Sequence, residues 1–449
     1  MKDLTKGSIV KGIITFSIPL IIANILQQMY NVTDTIIIGK VLGKVALSAV
    51  GSAFTLMTFL TSIIIGLCMG VGTVISNLYG KKETNKIKNT LFMSFVFIFL
   101  ITIVIMLIVY LFHSYIIRAL NIPSEVAPLM SSYLLIIYIG IIPTFIYNFF
   151  ASFIRSLTDS LSSLIVLFIS TILNIGLDLF FVLNLKMGIN GAAIATVISQ
   201  TISALIITIY ALSKYKDYLP NKDNFKIDKP LLSYILKLST LTSFQQSIMN
   251  LGILTVQGIV NSFGTNVMAA FTAAVKIDSF AYLIVQDFAN GFSTFVAQNN
   301  GAKDEKRIHK GTIISCILSS IFSIFITLIV LFFKEDLLKI FIDGTDREVI
   351  NIGINYLNIE GSFYIGIGIL FLLYAYFRGI NKPLISIILT IISLGLRIVL
   401  SIILSKNSAL KENGIWLSIP IGWFIADIVG FILMIIVKKR KKMFMLDKY

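Results

Sequence analysis

The chain has 449 residues, of which 57% are hydrophobic and 13% charged, with a mean hydropathy of +0.92 and a formal net charge of +15. Soluble globular proteins carry roughly a quarter of their residues as Asp, Glu, Lys and Arg, so this composition excludes a soluble globular body, and eight prolines with no long polar stretch leave little room for an appended soluble domain. Cys68 and Cys316 lie in apolar segments of opposite halves, and His113 and His309 stand far apart, which argues against a disulfide or a histidine metal site.

Lys11 leads directly into an apolar stretch that continues to Ile38, with no small-residue cleavage site at its end, so the first hydrophobic segment is a retained span. In chain order the apolar runs predict twelve transmembrane helices at 12–39, 46–78, 89–117, 125–154, 160–185, 189–212, 232–262, 266–298, 311–333, 349–378, 384–405 and 413–437. Most exceed the ~20 residues that cross a hydrocarbon core and are expected to tilt, kink or project beyond the lipid. An even number of spans puts both termini on one side. Of the 37 Lys and Arg residues, 25 lie in loops and termini on that side and nine on the other, while Lys237, Lys276 and Arg397 fall within spans. By the positive-inside rule both termini are cytoplasmic. The basic charge then reports topology, and nucleic acid is excluded as a partner.

The longest polar connection, 213–230, lies almost at the midpoint, and the flanking halves look duplicated. "NLYGKKETNKI" after the second span pairs with "QNNGAKDEKRI" after the eighth, aligning Gly80 with Gly301 at an offset of 221 residues. "FASFIRSL" pairs with "YAYFRGI", aligning Arg155 with Arg378, and "MGINGAAIAT" pairs with "LKENGIWLSI", aligning Gly191 with Gly414, both at 223. The expected organisation is an all-α membrane protein of two parallel six-helix repeats. An amino-terminal lobe spans 1–212, a cytoplasmic linker 213–230, a carboxy-terminal lobe 231–437 and a basic tail 438–449. Repeats related in this way place a transport cavity between the halves.

Charged groups inside the membrane require a partner or a water-filled cavity. In the amino half Asp34 lies six residues before Lys40 and Asp178 eight before Lys186, ~9 and ~12 Å from the outer end by helical rise. Asn174 shares a helix face with Asp178, and Thr196 enters to a similar depth from the outer end of the sixth span. Two carboxylates, an amide and a hydroxyl could thus form one layer. Such oxygens suit a hard cation such as Na⁺, and close buried carboxylates equally suit proton exchange. The alternative is a set of helix-bridging hydrogen bonds.

In the carboxyl half Arg397 stands where the repeat would place Asn174, and Ser401 where it would place Asp178. Depth counting sets Lys276, Asp278, Glu360 and Arg397 all ~14–18 Å from the outer surface, either as structural ion pairs or as part of a substrate cavity. Asp287 and Asp427 are further intramembrane acids with no nameable partner. The first span also carries Gln27, Gln28 and Asn31 and a Pro19 expected to bend it. Met29, Tyr30, Tyr147, Phe149 and Phe150 are either cavity lining or ordinary packing.

"FSIPLIIANILQQMYNVTDTIIIG", "NIGLDLFF", "MGINGAAIATVIS" and "FVAQNNGAKDEKR" resemble bacterial multidrug and toxic compound extrusion (MATE) transporters, in the expected order and over nearly the whole chain. The resemblance implies drug or metabolite export driven by inward H⁺ or Na⁺, and two lobes enclosing an outward-facing V-shaped cavity. It implies that the acid of the first span, the Asn-x-x-x-Asp of the fifth and the Thr of the sixth form a coupling site, here Asp34, Asn174, Asp178 and Thr196. Two departures stand out: no carboxylate falls within 232–262, where one branch of the family has one, and "LTDSLSS" replaces a Gly-Asp-Pro turn after the fourth span. The pattern fits the branches with amino-lobe coupling, including Gram-positive multidrug exporters. The expected protein is a cation-coupled antiporter of the bacterial cytoplasmic membrane, a monomer with an amphipathic small-molecule substrate and lipid as its only partners and no cofactor beyond a coupling Na⁺ or H⁺. The alternative is a lipid-linked oligosaccharide flippase of the same wider superfamily. No nucleophile–base or metal-ligand set points to an enzyme.

Overall fold

The computed structural model describes residues 3–446 except 121, 343 and 408. The side chain of Tyr30, a candidate cavity residue, lies outside the described part, as do those of 440–446. The described residues form helices and contain no strand. α1 (Ile9–Gly80) supplies the first two spans and is interrupted at Gly43, whose φ of 83° and ψ of −176° belong to a region essentially restricted to glycine. Pro19 sits within helical backbone. α2 (Thr84–Leu111) with the short α3 (His113–Ala119) is the third span, and α4 (Ala127–Ile137) joins α5 (Ile141–Ser156) through one 3₁₀ turn as the fourth. α6 (Leu161–Asp178) runs into a π-helical turn over Leu179–Asn184, and α7 (Gly188–Lys214) completes the first six.

The carboxyl half repeats the order with α8 (Lys229–Asn261), α9 (Thr265–Gly301) and α10 (Glu305–Lys339). The tenth span is the pair α11 (Arg347–Gly361) and α12 (Tyr364–Gly379), bent by 50°, followed by α13 (Pro383–Ser405) and α14 (Glu412–Leu446). Among the described residues ten helical stretches are long and apolar enough to cross a membrane, and the bent pair makes eleven. α8 has the length but carries Lys229, Lys237, Gln245 and Gln246 among its apolar residues. Each expected span falls on one of these twelve segments.

The helices gather into two compact units. The first holds 14–244 with residues 1–7 and 297–303, the second 245–296 and 304–449 with 8–13. The division falls inside α8 and α9, not in the polar linker. Local packing explains this. Ser243 Oγ of α8 donates to the Ile63 carbonyl of α1 at 2.8 Å, and Gln298 Nε2 of α9 donates to the Ser156 carbonyl of α5 at 2.9 Å. A Cβ added to Gly80 would come within 1.9 Å of the Gln298 carbonyl oxygen, and one added to Gly301 within 2.0 Å of that of Asn77. The duplicated glycines therefore let the two helix ends touch backbone to backbone.

The first unit is filled by aromatics. Phe95 meets Phe145, Phe149 and Phe150 with ring centroids 5.2–6.3 Å apart, so Phe149 is packing, at 2% exposed. In the second, the buried Trp416 stacks on Phe271 at 5.4 Å and takes the edge of Tyr356 at 4.9 Å. Outward-facing Leu111, Phe325 and Phe332 are largely exposed, as expected where the surrounding solvent is hydrocarbon.

Candidate functional site

Asp34 reaches its position on the first stretch of α1, before the Gly43 interruption, while Asn174 and Asp178 lie one turn apart on α6. Asp34 is 8% exposed, Asn174 2% and Asp178 not at all. The side chains of Asp34 and Asp178 are in direct contact. Among the described residues no donor completes a hydrogen bond to Asp34 Oδ1, to either oxygen of Asp178, or to the Asn174 amide oxygen, and the Asn174 amide nitrogen finds no acceptor. Among the described residues no lysine, arginine or histidine is paired with either carboxyl group. Thr196 is buried on α7, which packs along α6. Asp178 is also the last residue before the π-helical turn, and such turns are frequent at functional sites. No periodicity or turn residue in the sequence marks this turn.

Five buried polar atoms without partners, two of the three side chains being acids in contact, make an incomplete arrangement. Buried polar groups are ordinarily satisfied, and two touching carboxylates in low dielectric cannot both keep a full charge unaided. A proton shared by the pair, or one hard cation among these oxygens, would complete it.

The carboxyl-half cluster divides. Asp278 of α9 accepts a hydrogen bond from the Tyr364 hydroxyl, and Glu360 of α11 accepts one from that of Tyr282. The Tyr356 hydroxyl reaches both acids, and Arg397 of α13 is close enough to act on both electrostatically. Among the described residues, Asp278 Oδ2, Glu360 Oε2 and Arg397 Nε have no hydrogen-bond partner. Lys276 does not join them. It is exposed, with Nζ 5.5 Å above the Phe341 ring in the α10–α11 connection. Depth counting grouped it with Asp278, but residues two apart on a helix are turned by about 200° and face nearly opposite ways. The signal for the three tyrosines in the sequence is spacing: Asp278/Tyr282, Tyr356/Glu360 and Glu360/Tyr364 all stand at i, i+4, which puts side chains on one helix face.

Gln27 is exposed, and Asn31 Nδ2 donates to Gln28 Oε1 at 3.0 Å. Asp287 does have a neighbour: Asn290 Nδ2 donates to its Oδ1 at 3.3 Å, while Asn290 Oδ1 accepts from Arg378 Nη2 at 2.9 Å, so the amide bridges acid and base. Asp427 is buried, with Oδ1 unsatisfied.

Between α5 and α6, Asp159 is the opposite of Asp178. Its Oδ2 accepts from Ser162 Oγ, Tyr210 Oη, Lys214 Nζ and Tyr215 Oη at 2.8–3.0 Å, and its Oδ1 from the Ser162 amide at 3.1 Å. Burial pushes its carboxyl up, but the bonds from Tyr215, Lys214, Tyr210 and Ser162 outweigh this and hold it at about 2.

The family model for MatE matches the chain twice, over residues 19–180 and 242–403. The probable multidrug resistance protein YoeA of Bacillus subtilis (strain 168) is 27% identical over 431 residues, covering 94% of this chain and 92% of that protein. The probable multidrug resistance protein NorM of Thermotoga maritima is 25% identical over 93% of this chain and 89% of its own length. Among solved structures, an outward-facing conformation of a multidrug resistance MATE family transporter of the MOP superfamily superposes with a TM-score of 0.91 at 22% identity, covering 96% of both chains. A MOP superfamily transporter from Pyrococcus furiosus, for which a reversed polarity of the binding pocket is described, superposes with 0.88 at 24% identity, again over 96% of both.

Proposed function

Because the chain belongs to the MatE family of multi-pass membrane transporters, which are not enzymes, we propose that it is a cation-coupled antiporter exporting amphipathic, often cationic, drugs or metabolites. The observation that carries the coupling site is the contact between Asp34 and Asp178, buried together with Asn174 and without a basic partner among the described residues. The pair takes up H⁺ or Na⁺ from the outer side and releases it inside. Its occupancy biases the amino-terminal lobe (1–212) between two arrangements, and a rocker-switch alternation of the two lobes moves the substrate outward. The excess of Lys and Arg on the side of the termini supports a cytoplasmic placement of both ends. The names of YoeA and NorM, both probable multidrug resistance proteins, support the substrate class. Asp278, Glu360 and Arg397 brace the carboxy-terminal lobe in this reading, with tyrosine hydroxyls supplying donors that the single guanidinium cannot.

Asp34→Asn and Asp178→Asn each remove one acid while keeping its shape. Vesicles bearing either variant at wild-type protein level are expected to lose gradient-driven dye efflux by at least about tenfold. Efflux at the wild-type rate in both would remove the coupling site from this pair.

A further inference from the structure

Lys276 has no role in the coupling reading, and its setting is unusual. Met268, Thr272 and Lys276 recur every four residues and line one wall of a cavity of about 560 Å³. Phe341, Ile342 and Asp346, from the connection between α10 and α11, line the other. That volume lies in the range of small-molecule sites. Asp346 occupies the N-cap position of α11, yet its side chain makes no capping bond. Nearby, Glu335 binds both Lys339 at 2.8 Å and Arg347 at 3.0 Å. Among the described residues neither Lys276 nor Asp346 has an oppositely charged partner within 4 Å, although they line the same cavity with opposite signs. Phe341 offers the ammonium a cation–π contact and the cavity an aromatic surface.

We propose that this cavity is a binding site for zwitterionic amphiphiles, with an anionic group on Lys276 Nζ, a cationic group toward Asp346, and apolar parts against Met268, Phe341 and Ile342. A ligand of that kind satisfies both charges and covers the apolar walls. A purely cationic amphiphile leaves Lys276 opposed to it. The anion is a carboxylate on a free amphiphile or the phosphate of a zwitterionic lipid headgroup. The inference rests on the transporter reading for its biological setting, but its test measures binding alone and does not depend on coupling at Asp34 and Asp178.

Rhodamine B carries a free carboxylate beside its cationic ring system, and rhodamine 6G is a related cationic ester. Fluorescence anisotropy of each dye with the purified full chain gives an affinity ratio. Lys276→Gln is expected to lower the preference for rhodamine B about tenfold, Lys276→Arg to preserve it, and Asp346→Asn to weaken both dyes. Short-chain dihexanoylphosphatidylethanolamine, added as competitor, distinguishes the sources: displacement of rhodamine B assigns the anion to a lipid phosphate, and no displacement assigns it to a free carboxylate. An affinity ratio unchanged in Lys276→Gln, with Lys276→Arg equally indifferent, would overturn the site. Loss of rhodamine 6G efflux in Asp34→Asn with rhodamine B binding intact separates the coupling reading from this one.

Discussion

Asp159 and Asp178 are both aspartates with little exposure, and their surroundings are opposite. Asp159 collects donors from α6 and α7 and from the residues after α7, so its charged form belongs to the folded state. Asp178 meets another acid and, among the described residues, no donor. The consequence at Asp159 has a definite sign. Its carboxyl lies at about 2 in the fold, below its ordinary 3.8, so it contributes stability above about pH 4 that disappears as pH falls toward 2. The shift corresponds to about 1–2 kcal/mol, discounted because Lys214 is 45% exposed. Asp159→Asn is expected to lower the melting temperature at pH 7, with the gap to wild type closing between pH 4 and pH 2. A gap that does not change with pH would mean that the asparagine fails for reasons of packing.

At the scale of the helix, two devices organise the chain. One is interruption: Gly43 divides α1, the π-helical turn follows Asp178, and a 50° bend separates α11 from α12. Backbone that departs from helix within a membrane must be satisfied by its neighbours, and the turn after Asp178 and the bend after Glu360 both adjoin buried acids. The other is close approach. At Gly80 and Gly301 even a methyl group would overlap a facing carbonyl oxygen. Gly80→Ala and Gly301→Ala are each expected to cost about 1–3 kcal/mol by overpacking. Thermal denaturation of the detergent-solubilised protein measures this. Gly51→Ala, where an added Cβ meets nothing within 4 Å, serves as control and is expected to melt as the wild type does.

For the whole molecule, the repeat is visible at two levels. The motif pairs at Arg155/Arg378 and Gly191/Gly414 are offset by 223 residues, and the two family matches begin at 19 and 242, the same displacement. Duplication did not preserve chemistry. The amino half presents two touching acids, whereas the carboxyl half sets two acids among three tyrosines and Arg397. This asymmetry predicts that one gradient acts through one half. Inward Na⁺ and inward proton gradients, imposed one at a time on vesicles, should include at least one that drives dye efflux. The double variant Asp34→Asn/Asp178→Asn should lose the response to whichever is active. A full response in that variant would move coupling to the carboxyl half.

Twelve spans, their order and the duplication were legible in the sequence because each depends on a long-range average or a repeated word: hydropathy over ~20 residues, or short motifs at a constant offset. The pairing of Asp34 with Asp178 was approachable through helical rise alone, since both lie near the same end of their spans. Rise without rotation misled at Lys276, which shares a depth with Asp278 but not a direction. The i, i+4 tyrosines around Glu360 were written in the sequence but lost among many aromatics. The juxtaposition of Lys276 and Asp346 could not be found there, because they come from segments some 70 residues apart and line one cavity that only tertiary packing creates. The same holds for the π-helical turn and for the division inside α8 and α9. Composition and periodicity determine which segments become helices; which faces of those helices meet is decided by packing, and the candidate sites lie on those faces.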